Sequence, residues 1–305
     1  MKPKMFLVGL HVALAAALIS ESTIAKDSSK RRTDRIEISY VTPKNSEHEE
    51  LYRLLKERRV LERIKGLLSP LRLPRPLLVK TAGCDGDANA FYEDDSVTVC
   101  YEYIDELLRN APRETTPAGV TRQYAIVGPT IEVFLHELGH AIFDYNEVPI
   151  LGREEDAADQ LAAYFLLQFD KANVHRLIVG VAYSYKVDAS QPGTTDKPSD
   201  DARASPAQRF FRKNRVFANE HELPAQRFYN ILCMAYGADR EQFADLVANE
   251  YLPKDRAEGC DTEYKQVVRA MNKLIRPYID PALAAQVRKK QWLNLDSDDA
   301  FQASR

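Results

Sequence analysis

The chain has 305 residues, 45% of them hydrophobic, with a formal net charge of -3 and an isoelectric point near 6.1. That length admits one large domain or two small ones with a sizeable core. The slightly acidic balance gives no electrostatic basis for binding nucleic acid, and the short basic run Lys30-Arg31-Arg32 does not change this.

The N-terminus has the pattern of a secretory signal peptide: a basic start, Met1-Lys2-Pro3-Lys4, an apolar run from Met5 to Ser20, then small and polar residues with a cleavage point after Ala25. The run is short for a bilayer, which needs ~20 apolar residues, and no later run is long enough either. Residues 26–34 are charged and expected to be flexible. Arg35 to Thr42 alternates apolar and polar residues, as a half-buried strand does. Ser46 to Leu68 reads as one helix, with Leu51, Leu54, Leu55, Val60, Leu61 and Ile64 at helical spacing. Pro70, Pro74 and Pro76 end it, and Leu77 to Thr81 forms a second strand. Asn89 to Tyr92 and Ser96 to Tyr101 read as strands on either side of the acidic turn Glu93-Asp94-Asp95. A helix starts near Tyr103, and a loop covers Pro112 to Gly119. A long helix then covers about Gln123 to Asn146, with Gly128-Pro129 as a possible break.

The rest is mainly helical: from Glu154 to Phe169, Val174 to Tyr185, Pro206 to Asn219, Pro224 to Tyr236, Arg240 to Glu250 and Glu263 to Arg276. A disordered insertion is expected at about 187–206, rich in Pro, Gly, Ser and charge, and a polar tail at 286–305. The four cysteines suit an oxidising compartment and permit three pairings. The pairing Cys84–Cys100 and Cys233–Cys260 is expected because each bond closes one short loop. A cysteine zinc site is disfavoured because there is no CxxC pair.

The stretch His136-Glu137-Leu138-Gly139-His140 is an HExxH motif. Residues four apart share a helix face, so both imidazoles project together while Leu135, Leu138 and Ile142 supply an apolar ridge. This arrangement offers two metal ligands and a carboxylate placed to act on a water molecule. A catalytic zinc ion also needs a third protein ligand. The following helix opens with Glu154-Glu155-Asp156 and carries Asp159. Like charges at i and i+4 are mildly unfavourable without a cation, so Glu155 and Asp159 together suggest one. Glu155 is expected to be the third ligand and Asp159 to hydrogen-bond the free ring nitrogen of a ligand histidine. Glu154 has Ala158 at its i+4 position, and no role is assigned to Glu154 or Asp156. Val148-Pro149 should end the first helix and Gly152 should permit the bend that returns the chain. His48 and His175 have no evident partners and are expected at the surface, and His11 lies in the signal region.

At these residues the chain resembles the gluzincin metallopeptidases, whose signature is HExxH followed by a helix carrying ExxxD, here Glu155-Asp156-Ala157-Ala158-Asp159. With NAFY, CYE and QRFYN included, Ile36 to Tyr278 resembles a bacterial family of metallopeptidase-like proteins. Asn89-Ala90-Phe91-Tyr92 is similar to the edge strand of thermolysin-like peptidases. That similarity implies that Asn89 and Ala90 hydrogen-bond an extended peptide. The spacer from His140 to Glu155 is shorter than in those enzymes. The resemblance also implies a downstream histidine or tyrosine as oxyanion donor, with His221 ranked ahead of Tyr145, Tyr101 and Tyr103.

The expected fold is α+β and zincin-like: a small mixed N-terminal lobe with an edge strand, an active-site helix, and a mainly helical C-terminal lobe dividing near residue 150 within a catalytic domain at 35–285. The expected function is an exported, periplasmic or secreted zinc-dependent metallopeptidase acting on a peptide or protein substrate. It would hold one Zn2+ per chain, use Glu137 as general base, bind no nucleic acid and keep no membrane span after signal cleavage. The alternative is a catalytically silent zinc-binding interaction protein of the cell envelope.

Overall fold

The computed structural model describes residues 35–190, 205 and 218–290. The signal region, most of the expected insertion and the last fifteen residues, 291–305, lie outside the described residues. The fold is α+β, with a four-stranded mixed sheet and ten α-helices among the described residues.

The strands are β1 (Ile36–Tyr40), β2 (Leu77–Ala82), β3 (Ala90–Glu93) and β4 (Ser96–Cys100), in the order β1-β2-β4-β3. β1, β2 and β4 are parallel, and β3 runs antiparallel to β4. Central β4 is buried along its whole length, as expected of a strand covered on both faces, whereas β2 alternates, with Leu77, Val79 and Thr81 inside. The β3–β4 connection is a two-residue hairpin in which Asp94 and Asp95 both have positive φ, 48° and 57°. This backbone suits the twist of the hairpin, and aspartate tolerates it better than most residues. The acidic turn is therefore explained by backbone geometry.

The region expected as one helix over Ser46–Leu68 is a 3-10 turn followed by α1 (Glu49–Glu57) and α2 (Val60–Leu68). They are separated at Arg59, whose φ of 52° breaks the helical path without disturbing the apolar spacing on either side. α3 (Tyr101–Asn110) follows β4 directly. α4 (Arg122–Tyr145) runs unbroken through Pro129. The Thr121 side chain caps its start by accepting from the Tyr124 amide at 3.3 Å, and the Thr130 hydroxyl donates to the Ile126 carbonyl at 2.7 Å, one turn back.

The helical half comprises α5 (Glu154–Leu166), α6 (Lys171–Ser190), α7 (Pro224–Ala238), α8 (Ala244–Ala248), α9 (Lys254–Ala270) and α10 (Pro281–Lys289). A π-helical segment, Met271–Ile275, extends α9, and α10 occupies the start of the stretch expected to be a frayed tail. One continuous core joins the sheet to α4, α5, α6, α7 and α9. Close helix contacts depend on glycine: a Cβ on Gly180 would lie 2.0 Å from the Tyr124 carbonyl oxygen, so α6 meets α4 backbone to backbone. Disulfides join Cys84 to Cys100, tying the loop before β3 to the end of β4, and Cys233 to Cys260, tying α7 to α9.

Two histidines differ from expectation. His48 is buried, 6% exposed, with its ring 5.9 Å from that of Tyr101, because the turn before α1 folds it under the sheet lobe. His175 is partnered: it stacks on Phe243 and its Nε2 lies 3.1 Å from both Asp245 carboxylate oxygens.

Candidate metal centre

α4 carries Glu132, His136 and His140 at successive i+4 positions, so all three share one face. The chain leaves the helix at Asn146, turns through Gly152 at a φ of 113°, and returns as α5. The close fit of the two helices comes from the small pair Gly139 and Ala158. A Cβ on Gly139 would be 3.2 Å from the Ala158 Cα, and Ala158 is 0% exposed. With no larger side chain between the helices, Glu155 and Asp159 on α5 reach the histidines on α4.

His136 Nε2 lies 3.0 Å from Glu155 Oε2 and 3.2 Å from His140 Nε2, and His140 Nε2 is 3.5 Å from the same Glu155 oxygen. Three donor atoms from three side chains thus form a nearly equilateral triangle. A tetrahedral zinc ion with bonds of ~2.0–2.1 Å separates its ligand atoms by ~3.3 Å, so the spacing fits such an ion. The outer nitrogens are also held. Asp159 Oδ1 is 2.7 Å from His136 Nδ1, and Glu154 Oε1 is 2.8 Å from His140 Nδ1. A carboxylate accepting from Nδ1–H leaves the Nε2 lone pair directed into the triangle.

Asp159 is fixed from behind by Arg227 of α7, which donates to its two oxygens at 2.7 and 2.6 Å. The guanidinium also lies 3.9 Å from Glu132 and 4.4 Å from the Tyr185 ring centre, while the Tyr185 hydroxyl donates to Glu132 at 2.9 Å. Glu132, Tyr185, Arg227 and Asp159 therefore form one buried network ending on His136.

The electrostatics of the cluster favour positive charge at the histidines. Burial lowers the pKa of His136, but hydrogen bonds to Asp159 and Glu155 outweigh it and raise the value to about 10. Burial also opposes ionisation of Asp159, yet Arg227 and His136 bring it down to about 2. Glu155 is held well below the usual carboxylate range against the effect of burial, chiefly by its hydrogen bonds to His136 and His140. Glu137 behaves differently: burial raises its pKa, partly offset by the two histidines, and its carboxylate makes no hydrogen bond among the described residues.

His221 also reaches the cluster. Its Nδ1 lies 3.1 Å from Glu155 Oε2, and its ring centre is 5.8 Å from that of His136. The loop carrying it is held by Arg153, which pairs with Glu222 at 3.4 Å and donates to the Glu220 carbonyl. The Tyr145 hydroxyl donates instead to the Pro76 carbonyl, and Tyr101 to the Val41 carbonyl, so both are engaged in the sheet lobe. Tyr103 lies near Glu132 and Arg227.

β3 is the outer strand of its sheet and packs against α4. The Cys100 amide donates to the Asn89 carbonyl, and antiparallel pairs alternate, so the backbone groups of Ala90 and Tyr92 point away from β4. The Asn89 side chain accepts from the Ala90 amide at 2.9 Å, an internal contact that a docking peptide would have to share or replace.

Two other groupings of possible ligands fit a metal poorly. In the first, formed by Glu132, His136 and Asp159, both carboxylates already lie against the Arg227 guanidinium. In the second, the Cys84 and Cys100 sulfurs are bonded to each other, and Glu102 accepts from the Cys84 and Gly86 amides.

The sequence reading gave no role to Glu154, Glu132, Tyr185 or Arg227. Glu132 left one trace, a carboxylate one turn before His136 inside the apolar run Ile131 to Leu135. Arg227 stood in the QRFYN stretch without an assigned partner.

No curated protein and no solved structure matches the chain. The sequence pattern of one family, DUF4344, described as "Putative metallopeptidase", matches residues 40–275 and contains every element of the cluster. The chain belongs to that family.

Proposed function

We propose that the protein is an exported zinc-dependent peptidase with His136, His140 and Glu155 as its metal ligands. The observation that carries this reading is the triangle of three donor atoms, with edges of 3.0, 3.2 and 3.5 Å, facing a buried carboxylate one residue from His136. Asp159 and Glu154 would orient the two imidazoles from outside. A bound zinc ion lowers the pKa of a water ligand to roughly 7 and polarises a carbonyl.

Glu137 would act as general base, accepting a proton and passing it to the leaving amine. Its burial, and the absence of a hydrogen-bond partner for its carboxylate among the described residues, suit that role. His221 would donate a hydrogen bond to the oxygen that gains charge during attack. Ala90, with Asn89 beside it, would hold the extended substrate along the open edge of β3. The catalytic domain would span 35–285.

Two disulfides and the signal-like N-terminus support export, and among the described residues no helix is long and apolar enough to cross a membrane. N-terminal sequencing of the mature protein would test cleavage after Ala25. The main test is zinc content together with peptide cleavage by the wild type and by Glu137→Gln. Stoichiometric zinc and Glu137-dependent cleavage are expected. Protein without stoichiometric zinc would remove the metal reading. Zinc without Glu137-dependent cleavage of a diverse library would instead indicate a silent metal-binding protein.

A further inference from the structure

A second concave site lies at the start of the edge strand. It has a volume of about 210 Å³, is open on one side, and is lined by residues of α3, α4 and α6 together with Ala88. The helical repeat builds its walls. Tyr103, Glu106 and Asn110 lie on one face of α3, and Ser184 and Asp188 on one face of α6. Two of these side chains are carboxylates, and among the described residues no lysine or arginine lines the cavity.

We propose that this cavity is a specificity subsite that receives a basic side chain, lysine or arginine, of the bound peptide. The proposal rests on the peptidase reading and supplies what that reading lacks, a preference among substrates.

Three observations carry it. The first is the pattern of partners. The half-buried Tyr103 makes no hydrogen bond through its hydroxyl among the described residues, and the half-buried Asp188 carboxylate has neither a hydrogen bond nor an ion pair there. A hydroxyl and a carboxylate left unpaired against one cavity are suited to a ligand with several N–H donors. The second is the charge balance. Among the described residues the cation that acts on Asp188 is Arg227, and it is already bonded to Asp159 through two nitrogens. Burial and then Glu106 push the Asp188 pKa up to about 6 against the pull of Arg227, so the carboxylate is held at a cost. A guanidinium or ammonium group would reverse that cost. The third is position. Ala88, which lines the cavity, lies two residues before the start of β3 at Ala90, and the side chains of Ala90 and Tyr92 share one side of that strand. Tyr92 contacts Asp144 on α4, so this side faces the metal helix. A peptide added to the open edge of β3 sends alternate side chains to that side, and one near Ala88 can descend into the cavity.

The distance fixes the register coarsely. Ala125 lines the cavity and His136 is eleven residues further along the same helix, roughly 16 Å at 1.5 Å per residue. An extended peptide advances ~3.3 Å per residue, so the basic residue lies within about five positions of the scissile bond.

The test uses the purified, zinc-loaded chain and peptides acetylated at the N-terminus and amidated at the C-terminus, so that no terminal charge contributes. Each position of the peptide is varied in turn among arginine, norleucine and glutamate. At one position within five of the cleaved bond, arginine should exceed norleucine at least tenfold in kcat/KM. Asp188→Asn should remove most of that advantage, lowering kcat/KM for the arginine peptide far more than for the norleucine peptide, and Glu106→Gln should reduce it. Binding of the same peptides to zinc-loaded Glu137→Gln protein, followed by fluorescence anisotropy, gives a readout without turnover. Arginine-selective binding that Asp188→Asn abolishes, with no cleavage by the wild type, would sink the peptidase reading and leave the subsite standing. Glu137-dependent cleavage with no basic preference, or with a preference that Asp188→Asn does not change, would overturn the subsite.

Discussion

Replacing Arg227 by methionine is the most searching perturbation, because the residue lies far in sequence from the metal motif yet ends on it. Methionine keeps much of the apolar stem and removes the charge. Arg227, Asp159 and Glu132 side chains are 18%, 23% and 5% exposed, so the ion pairs lie largely away from water. Removing one partner of such a pair costs ~3–5 kcal/mol, because the remaining carboxylates are left without compensation. Two charge-assisted hydrogen bonds to Asp159 are lost at the same time. Asp159 would then orient His136 less firmly, and loss of a partner behind a metal ligand weakens metal binding ~10–100-fold. Urea unfolding of the metal-free protein should show a drop of at least ~3 kcal/mol with little change in denaturant slope. Competition with a chelator should show the weaker zinc binding. The double variant Arg227→Met/Asp159→Asn should be more stable than the sum of the single losses, because the two residues interact directly. A loss below ~1 kcal/mol with unchanged zinc affinity would refute the buried-network account.

Glu155→Ala should abolish tight zinc binding, whereas Glu154→Ala should weaken it only ~10–100-fold, as expected for a carboxylate that supports His140 from outside; equal losses in equilibrium dialysis would contradict the assignment of Glu155 as ligand. Gly139→Val places a branched side chain where even a Cβ lies 3.2 Å from Ala158. It should cost ~1–3 kcal/mol in thermal or chemical unfolding and lower zinc affinity by separating the helices, and a variant matching the wild type in both would count against the close-contact argument. Cys233 and Cys260 are 27 residues apart, so replacing both with serine should cost about 3.5 kcal/mol in the chain-entropy picture. Mass spectrometry showing four free thiols in mature protein would overturn the disulfide assignment altogether. For Asp188 the sign follows from a folded pKa raised to about 6 from 3.8. The folded state holds the proton more tightly, so stability falls as pH rises from ~4 to ~6, by up to ~2 kcal/mol after solvent screening. Asp188→Asn should remove that fall, and an unchanged stability profile over the window would show that the carboxylate is not strained.

The sequence by itself determined the parts of the site that lie within one or two helical turns. His136, Glu137 and His140 are legible because a helix turns every 3.6 residues, so spacing alone places them together. Glu155 and Asp159 are legible for the same reason, since two acids on one face of a second helix call for a cation. The strand alternation, the hairpin and the two short disulfide loops are likewise local patterns. The helix boundaries were less secure: the break at Arg59 and the continuity through Pro129 both depend on what packs around them.

Only the tertiary structure decided which groups meet across the fold. Glu154 looked idle because its i+4 neighbour is alanine, yet the return of α5 brings it to His140, fourteen residues away. Arg227 meets Asp159 across 68 residues, and Tyr185 meets Glu132 across 53. His175 seemed to lack a partner because Phe243 and Asp245 lie on another element, whereas the buried His48 has a ring neighbour, Tyr101, but no hydrogen-bond partner at Nδ1 among the described residues. A sequence encodes such meetings only through the packing of whole helices, here set by glycine and alanine at the contacts. A local pattern can therefore specify which side chains share a face, but close helix packing decides what that face touches.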